Sequence, residues 1–247
     1  MPEQAISEIW IITGTSSGLG NAIALNVLQR TGALVYGFAR KNTITHKNYF
    51  HQQIDLSDFN LVNSIQLPEI PATVKHLVLI NNAGGLGEML FAGKLENHII
   101  NSTYTLNIIT PHILSNQFLK KYGAIKDINK CIINVSSGAA KTPYAGWSIY
   151  CSTKAAIDMM TLCLVQEQAQ LPESQSTRIF ALAPGVIDTA MQAQIRNADE
   201  SGFTAKNKFV ELHKNQQLYN VHDVAIRYVH LALNVDSTQE PIQRVTL

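Results

Sequence analysis

Short, nearly continuous apolar segments alternate along the chain with longer segments that have helical spacing. The apolar segments are rich in β-branched residues and are Ile9–Thr13, Leu34–Ala39, His76–Ile80, Lys130–Val135 and Arg178–Ala183. Segments of this length without polar alternation are typical of strands that are buried on both faces, as in a parallel sheet. The longer segments, whose apolar residues recur with the period of a helix, are Leu19–Arg30, His98–Tyr122 and Ser148–Gln170.

This alternation predicts an α/β fold. Parallel strands joined by helices require right-handed crossovers, which build one doubly wound, Rossmann-type parallel sheet with helices on both faces. No repeat and no low-complexity linker interrupts the 247 residues, so we expect a single domain over 1–247. The polar segment Thr189–Asn220 is predicted to form a helical insertion over one end of the sheet. Ligands of such sheets bind beyond the carboxyl ends of the strands.

Composition and charge exclude several classes of protein. Hydrophobic residues make up 46% of the chain and charged residues 15%, which suits a large core and not a disordered protein. Because 19 lysines and arginines face 18 aspartates and glutamates, we expect no nucleic acid and no membrane as a partner. No apolar run reaches roughly 18 residues, and Met1–Ile9 lacks the features of a signal peptide, so we expect a cytoplasmic protein. The three cysteines have no metal spacing, so no metal site is expected.

A glycine-rich turn follows the first predicted strand and leads directly into a helix. Glycines here permit a tight turn and a close backbone approach to a pyrophosphate, which the helix N-terminus attracts. The spacing Gly14-x3-Gly18-x-Gly20 differs from the common GxGxxG, and alone it would suit an ordinary strand–helix turn equally well. Its position between the first strand and the first helix favours a dinucleotide site. The predicted contacts are Gly14, Ser16, Ser17, Gly18, Leu19 and Gly20.

The end of the second predicted strand indicates which dinucleotide binds. The residue about twenty positions after the glycines distinguishes NAD from NADP, and an acid there would bind the ribose hydroxyls of NAD. The strand instead ends with Arg40 and Lys41. Arg40 can bind a 2′-phosphate through two hydrogen bonds, and Lys41 adds a second positive charge. A solvated pair of cations is the simpler interpretation, but after such a turn we expect NADP(H).

Polar residues that could do chemistry follow the later strands. Asn81-Asn82-Ala83-Gly84 comes directly after the predicted strand that ends at Ile80, and Asn107 lies in the middle of a helix. Ser137 follows a strand and precedes Tyr150 by thirteen residues. Tyr150 and Lys154 are four residues apart, which places them on one face of a helix. A YxxxK pair by itself is usually a surface pair, so the prediction of a catalytic site rests on all of these residues together.

In this order, TGxxxGxG, NNAG, a mid-helix asparagine, a serine and YxxxK resemble the motifs of short-chain dehydrogenases/reductases over essentially the whole chain. The resemblance implies an NADP(H)-dependent oxidoreductase with the catalytic residues Ser137, Asn107, Tyr150 and Lys154. It also implies homo-oligomers, dimers or tetramers, through the long helices. The further cofactor contacts that it implies are Asp55 and Leu56, Asn82, Ala83 and Gly84, and the PGxxxT turn residues Pro184, Gly185, Ile187 and Thr189.

The expected chemistry is hydride addition to a carbonyl carbon with protonation of its oxygen. A tyrosine hydroxyl titrates near ~10, so we expect the ammonium of Lys154, with the positive nicotinamide, to lower the pKa of Tyr150. Ser137 would donate a hydrogen bond to the carbonyl oxygen. In the family the lysine also binds the nicotinamide ribose, and the asparagine backbone holds a water that relays protons. Ser136 competes for the role of Ser137, but the family spacing favours Ser137.

Two strings resemble a narrower group, the bacterial benzil reductases that form (S)-benzoin. They are Ser136–Trp147 with the following Tyr150-Cys151, and Ala183–Arg196. These enzymes group with the sepiapterin reductases. Trp147 and Met191, together with Ala139, Ser137 and Tyr150, are predicted to contact the substrate in a flat apolar pocket. For Trp147 the alternative is a packing or oligomer contact.

The leading interpretation is a carbonyl reductase for a small apolar ketone or 1,2-diketone. An NADP-linked alcohol dehydrogenase would use the same residues in the opposite direction. Sepiapterin reductases carry an aspartate near the C-terminus that holds the pterin, and its nearest equivalent here is Thr246, which counts against pterin reduction. A non-catalytic NADP(H) sensor is less favoured, because sensors commonly lose the tyrosine or the lysine.

Overall fold

Seven parallel strands form one sheet in the computed structural model, which describes residues 5–234 and 239–247. The strands are β1 (Glu8–Thr13), β2 (Ala33–Ala39), β3 (Tyr49–Gln53), β4 (His76–Asn81), β5 (Asn129–Val135), β6 (Arg178–Ala183) and β7 (Ile242–Arg244). Their order is β3-β2-β1-β4-β5-β6-β7, and every neighbouring pair is parallel. This arrangement confirms the predicted doubly wound fold.

The helices pack on both faces of the sheet. They are α1 (Gly18–Leu28), α2 (Phe59–Asn63), α3 (Asn97–Tyr104), α4 (Thr110–Tyr122), α5 (Ser148–Gln168), α6 (Ala190–Arg196), α7 (Lys206–Lys214) and α8 (Val221–Leu233). On β1, Trp10 and Ile12 pack with α1 and α8, whereas Ile9 and Ile11 pack with α4 and α5. Burial on both faces explains why this strand has no polar alternation.

The predicted helix His98–Tyr122 is interrupted by a π-helical turn at Thr105–Ile109, where the N–H of Thr110 donates to the Thr105 carbonyl. Four residues after Asn107 stands Pro111, which has no N–H to donate to the Asn107 carbonyl. The sequence therefore prevents one α-helical bond at this point, and the wider turn accommodates the loss.

The segment 189–220 contains α6 and α7. It returns to the sheet through a bridge between Ile187 and Tyr219. A third hydrophobic cluster, separate from the two cores beside the sheet, joins this segment to the loop after β5 and to the start of α5. Within the described ranges, no helix is long and apolar enough to cross a membrane.

Candidate active site

A cavity of about 830 Å³ lies beyond the carboxyl ends of the strands. Most residues predicted for the site line it. They are Gly14, Ser16, Ser17, Gly18, Leu19, Arg40, Asp55, Leu56, Asn82, Ala83, Gly84, Ser137, Ala139, Trp147, Tyr150, Lys154, Pro184, Gly185, Ile187, Thr189 and Met191. Three predicted residues, Gly20, Lys41 and Asn107, are not among the lining residues.

The glycine-rich turn packs tightly on the turn that follows β4. Gly14 has a φ of 74°, in the left-handed region that favours glycine, and its N–H donates to the Phe38 carbonyl at 2.8 Å. A Cβ on Gly20 would lie 2.3 Å from Nδ2 of Asn82, so this glycine permits close packing of the two turns. The Thr13 hydroxyl oxygen accepts the N–H groups of Asn82 and Ala83, each at 2.9 Å. The two turns therefore hold one another in place.

The N-terminus of α1 lies at the cavity, which Gly18 and Leu19 line. Ser17, the residue before the helix, makes no capping bond through its side chain, and the first turn contains no acidic residue. Uncapped N–H groups with the positive end of the helix dipole form an anion site. The glycine turn and this helix start therefore fit the pyrophosphate of a dinucleotide.

Arg40 and Asp55 lie together at the end of the cavity near β2. The Asp55 carboxylate accepts the N–H and the hydroxyl of Ser57 at 2.9 and 2.6 Å, and these bonds, helped by the charge of Arg40, lower the pKa of Asp55. Arg40 is exposed, so its guanidinium is accessible to a phosphate. Lys41 is also exposed but lies outside the cavity lining, which reduces its predicted contribution.

Tyr150 and Lys154 are buried side by side on α5, with the Lys154 Nζ 5.8 Å from the centre of the Tyr150 ring. Burial lowers the pKa of Lys154 to about 8, and its ammonium donates to the Val135 carbonyl at 2.7 Å. Burial raises the pKa of Tyr150, and a hydrogen bond with Ser137 opposes this effect. The lowering of the Tyr150 pKa by Lys154 together with the positive nicotinamide stays a prediction.

The two serines after β5 have different partners. The Ser136 hydroxyl is buried and donates to the Asp158 carboxylate at 2.5 Å. The Ser137 oxygen accepts the N–H of Ala139 at 3.1 Å and interacts with the Tyr150 hydroxyl. The Ser136 hydroxyl is thus engaged by Asp158, although Ser136 also lines the cavity, whereas the Ser137 hydroxyl interacts with the phenol of Tyr150.

Asn107 lies behind the cavity and is only 1% exposed. Its side chain accepts the Gly85 N–H and donates to the Gly85 carbonyl, both at 2.8 Å. It also donates to the Thr153 hydroxyl at 3.1 Å. The side chain therefore connects the π-helical turn to the loop after β4 and to the residue next to Lys154, which makes Asn107 a positioning residue in this geometry.

An aromatic cluster closes the other end of the cavity. Trp147 stacks on Phe203 with ring centres 4.4 Å apart, and its edge meets Tyr150 at 5.2 Å. Tyr144 and Phe209 pack around the same indole. Trp147 thus has a packing role as well as a place in the cavity wall, and its contact with the substrate stays a prediction.

Several lining residues were not predicted from the sequence. Tyr144, Lys208 and Phe209 come from loops and from α7, where no motif marks them. Phe203, which packs on Trp147 without lining the cavity, was also missed, although the aromatic residues at 203 and 209 in a mostly polar segment were an available signal. Near the C-terminus, Thr246 is exposed and outside the cavity lining, whereas Arg244, which the sequence analysis did not name, lines the cavity.

Comparisons with known proteins match this geometry. A family model described as short chain dehydrogenase matches residues 8–200. The chain is 36% identical over 227 residues to the benzil reductase ((S)-benzoin forming) of Bacillus cereus, covering 87% of this chain and 90% of the relative. It is 29% identical over 209 residues to the sepiapterin reductase of Rattus norvegicus, covering 76% and 77%. The crystal structure of the KRED1-Pglu enzyme superposes with a TM-score of 0.80 at 27% identity, covering 96% of this chain and 100% of that one. These matches confirm the resemblance that the motifs predicted.

Proposed function

The chain belongs to the short-chain dehydrogenase family and is an oxidoreductase, and from this premise we propose that it is an NADPH-dependent reductase of 1,2-dicarbonyl compounds. The observation that carries the proposal is the meeting of Ser137, Tyr150 and Lys154 at one cavity. On one side of them lies an uncapped helix N-terminus, and on the other side lies an aromatic cluster.

The residues of this chain would supply the acid chemistry. Tyr150 would donate its proton to the carbonyl oxygen, and its raised pKa keeps that proton on the phenol at neutral pH. Ser137 would donate a hydrogen bond to the same oxygen as negative charge develops there. The dinucleotide, when bound, supplies the hydride.

Lys154 would contribute to this reaction in two ways. Its ammonium stabilises negative charge on the Tyr150 oxygen once the proton has left. A Cβ on Gly84 would lie 3.7 Å from the Lys154 Nζ, so the absence of a side chain there leaves the ammonium accessible from the cavity. The same ammonium is therefore available to the hydroxyls of a nicotinamide ribose.

The preference for NADPH rests on Arg40. Its guanidinium lines the cavity at the end of β2, where the adenosine ribose of a dinucleotide bound at α1 would lie. A guanidinium binds a phosphate through two parallel hydrogen bonds, which the hydroxyl of NADH cannot match.

The substrate class rests on the aromatic cluster and on the relatives. Trp147, Phe209 and Met191 form an apolar wall that suits a flat ring or a short apolar chain. The relative from Bacillus cereus is named as a benzil reductase, and benzil is a 1,2-diketone. With one carbonyl at Tyr150, the second would lie beyond its reach, so we expect reduction to stop at the hydroxyketone.

A substrate panel tests the proposal. Purified enzyme is mixed with NADPH and with benzil, isatin, sepiapterin or an acetoacetyl thioester, and NADPH oxidation is followed by absorbance. We expect turnover of benzil and isatin with NADPH and at least tenfold less with NADH. Turnover of the thioester or sepiapterin alone, or of none of the four, would contradict the proposed substrate class.

A further inference from the structure

We propose that the preferred substrate is a 2-oxo carboxylate with an apolar body, and that Arg244 binds its carboxylate. The inference rests on the proposed function, since a 2-oxo carboxylate is a 1,2-dicarbonyl compound whose second carbonyl belongs to an acid. It adds a specificity-determining residue that no motif of the sequence marks.

Arg244 reaches the cavity from the last strand of the sheet. On β7 it pairs with Ala183 of β6, directly before the turn that lines the cavity at Pro184. Its Nη1 lies 3.1 Å from the position that a Cβ on Gly138 would occupy. Gly138 is the neighbour of Ser137, so the guanidinium lies close to the proposed position of the reacting carbonyl.

The charges along the cavity are distributed unevenly. Asp55 is the one acidic residue among the lining residues, and it lies near Arg40 at the dinucleotide end. The substrate end instead has cations besides Lys154, namely Lys141, Lys208 and Arg244. These charges would not attract an uncharged apolar ketone, whereas they would attract an anionic substrate.

Two of these three cations already interact with other groups. The Lys208 ammonium donates to the Tyr144 hydroxyl at 2.9 Å. The charge of Lys141 acts on Asp158, where it helps to oppose the rise of that carboxyl's pKa on burial. Arg244 has no hydrogen-bond or ion-pair partner among the residues that the structure describes. It is therefore the cation that is available to a ligand.

The phosphate groups of the dinucleotide and Arg244 are assigned to different parts of the sheet. The glycine turn and the start of α1 follow β1, and Arg40 follows β2, whereas the Arg244 Nη1 approaches Gly138, which follows β5. β5 is two strands from β1, roughly 10 Å at the usual spacing of neighbouring strands. We therefore assign the anion that Arg244 meets to the substrate beside Ser137, and not to the phosphates at α1.

The chemistry of a guanidinium identifies the anion. Arginine binds a carboxylate with two parallel hydrogen bonds, and its position beside Gly138, the neighbour of Ser137, suits a carboxylate attached directly to the reacting carbonyl. The reaction would add a hydride from the reduced nicotinamide to C2 and a proton from Tyr150 to the oxygen. The products are a 2-hydroxy carboxylate and the oxidised dinucleotide.

A matched pair of substrates tests the inference. Phenylglyoxylate and its methyl ester share the ketone and the ring and differ in charge. We expect the wild type to have the higher kcat/KM for the acid with NADPH. In Arg244→Gln the acid-to-ester ratio of kcat/KM should fall by roughly 10- to 100-fold, the effect of one charged hydrogen-bonding partner. The control is Arg227→Gln, an exposed arginine of α8 outside the cavity, which should keep the wild-type ratio.

Binding provides a readout that does not depend on turnover. Mandelate, the expected product, is titrated into the enzyme with NADPH in a calorimeter, a combination that cannot transfer a hydride, and methyl mandelate is the uncharged comparison. Arg244→Gln should weaken mandelate binding at least tenfold. Gly138→Ala, which adds a Cβ 3.1 Å from Nη1, should weaken it less.

Each outcome decides one of the two proposals. An acid-to-ester ratio that is unchanged in Arg244→Gln, with mandelate binding also unchanged, would overturn the role of Arg244. If the wild type reduces no 1,2-dicarbonyl compound but still binds mandelate through Arg244, the proposed function is wrong and the carboxylate site stands.

Discussion

The two ends of the cavity are built from different parts of the chain. At the dinucleotide end, the contacts come mostly from backbone and small residues at the ends of β1 and β4, where turns such as Gly14 and Asn82 pack on one another. At the substrate end, large side chains from α7, β7 and the loop before α5 form the wall. The first end is fixed by the geometry of the sheet, while the second depends on which side chains the surrounding segments carry. Changes at the second end should therefore alter specificity without disturbing the dinucleotide.

The largest effect on kcat is expected where the two ends of the cavity meet. Tyr150→Phe removes the proposed proton donor and keeps the ring that packs against Trp147. We expect kcat to fall by roughly 10²- to 10⁴-fold, the usual contribution of a general acid, with NADPH binding unchanged. Steady-state kinetics and NADPH fluorescence measure the two quantities. A variant that keeps more than a tenth of the wild-type kcat would remove Tyr150 from the proton transfer.

Alanine substitutions of Ser136 and Ser137 distinguish a structural hydroxyl from a catalytic one. Ser137→Ala should lower kcat by about 10²- to 10³-fold, as loss of an oxyanion donor does. Ser136→Ala removes the bond to Asp158 and should change kcat much less. Thermal unfolding should instead be more sensitive to Ser136→Ala. Equal losses of kcat in both variants would show that the assignment of the two serines is wrong.

Trp147→Ala tests the aromatic wall. Because Trp147 is buried against Phe203, the change should cost about 3–5 kcal/mol of stability. A substrate ring could then present either face, so we also expect a higher KM for aromatic diketones and a lower enantiomeric excess. Small aliphatic diketones should be less affected. Chiral chromatography of the benzoin that the variant forms measures the enantiomeric excess. A single enantiomer at the wild-type KM would show that Trp147 has a packing role alone.

Arg40→Ala should affect only the dinucleotide end. One charged hydrogen-bonding partner contributes about 1.5–3 kcal/mol of binding free energy, which corresponds to a preference for NADPH of more than tenfold. The variant should lose most of this preference. Lys41→Ala is the matched control, because Lys41 is also cationic but lies outside the cavity lining. The ratio of kcat/KM for NADPH and NADH gives the answer, and a wild type that uses both equally well would contradict the role of Arg40.

The smallest effect is expected on the pH dependence of the reduction rate. Burial lowers the pKa of Lys154 to about 8, so the ammonium loses its proton as the pH rises through that value. The rate of reduction should therefore decline above about pH 8, while Tyr150, whose pKa is raised, still carries its proton. In Lys154→Arg the side chain stays charged, and any remaining activity should lack this decline. A wild-type profile that stays flat to pH 10 would contradict the assignment.

The sequence predicted most of the residues that line the proposed dinucleotide end of the cavity, because the requirements of this end are local. A strand, a glycine turn and a helix start follow one another within the residues from Ile9 to Gly20, and their order alone defines the anion site. The same holds for Tyr150 and Lys154, which one helix turn brings together. The roles of these residues remain predictions, but their positions at one cavity follow from the fold.

The substrate end could not be predicted in the same way, because its parts are distant in sequence and short. β7 has three residues, too few for a hydrophobic pattern, and it alone brings Arg244 to the site. β3 was likewise not identified, since most of its residues are partly or fully exposed. The π-helical turn at Asn107 was also missed, although Pro111 was a readable signal for it.

The position of Trp147 also gives the protein an optical property. The chain has two tryptophans, and the other, Trp10, is fully buried in β1 with its indole N–H donated to Glu8. Ligands should thus not contact Trp10, whereas Trp147 lines the cavity and should be contacted by whatever enters its substrate end. Reduced nicotinamide absorbs where tryptophan emits, so energy transfer from Trp147 would report cofactor arrival. A Trp10→Phe protein would carry a single intrinsic fluorophore, placed where dinucleotide and substrate meet.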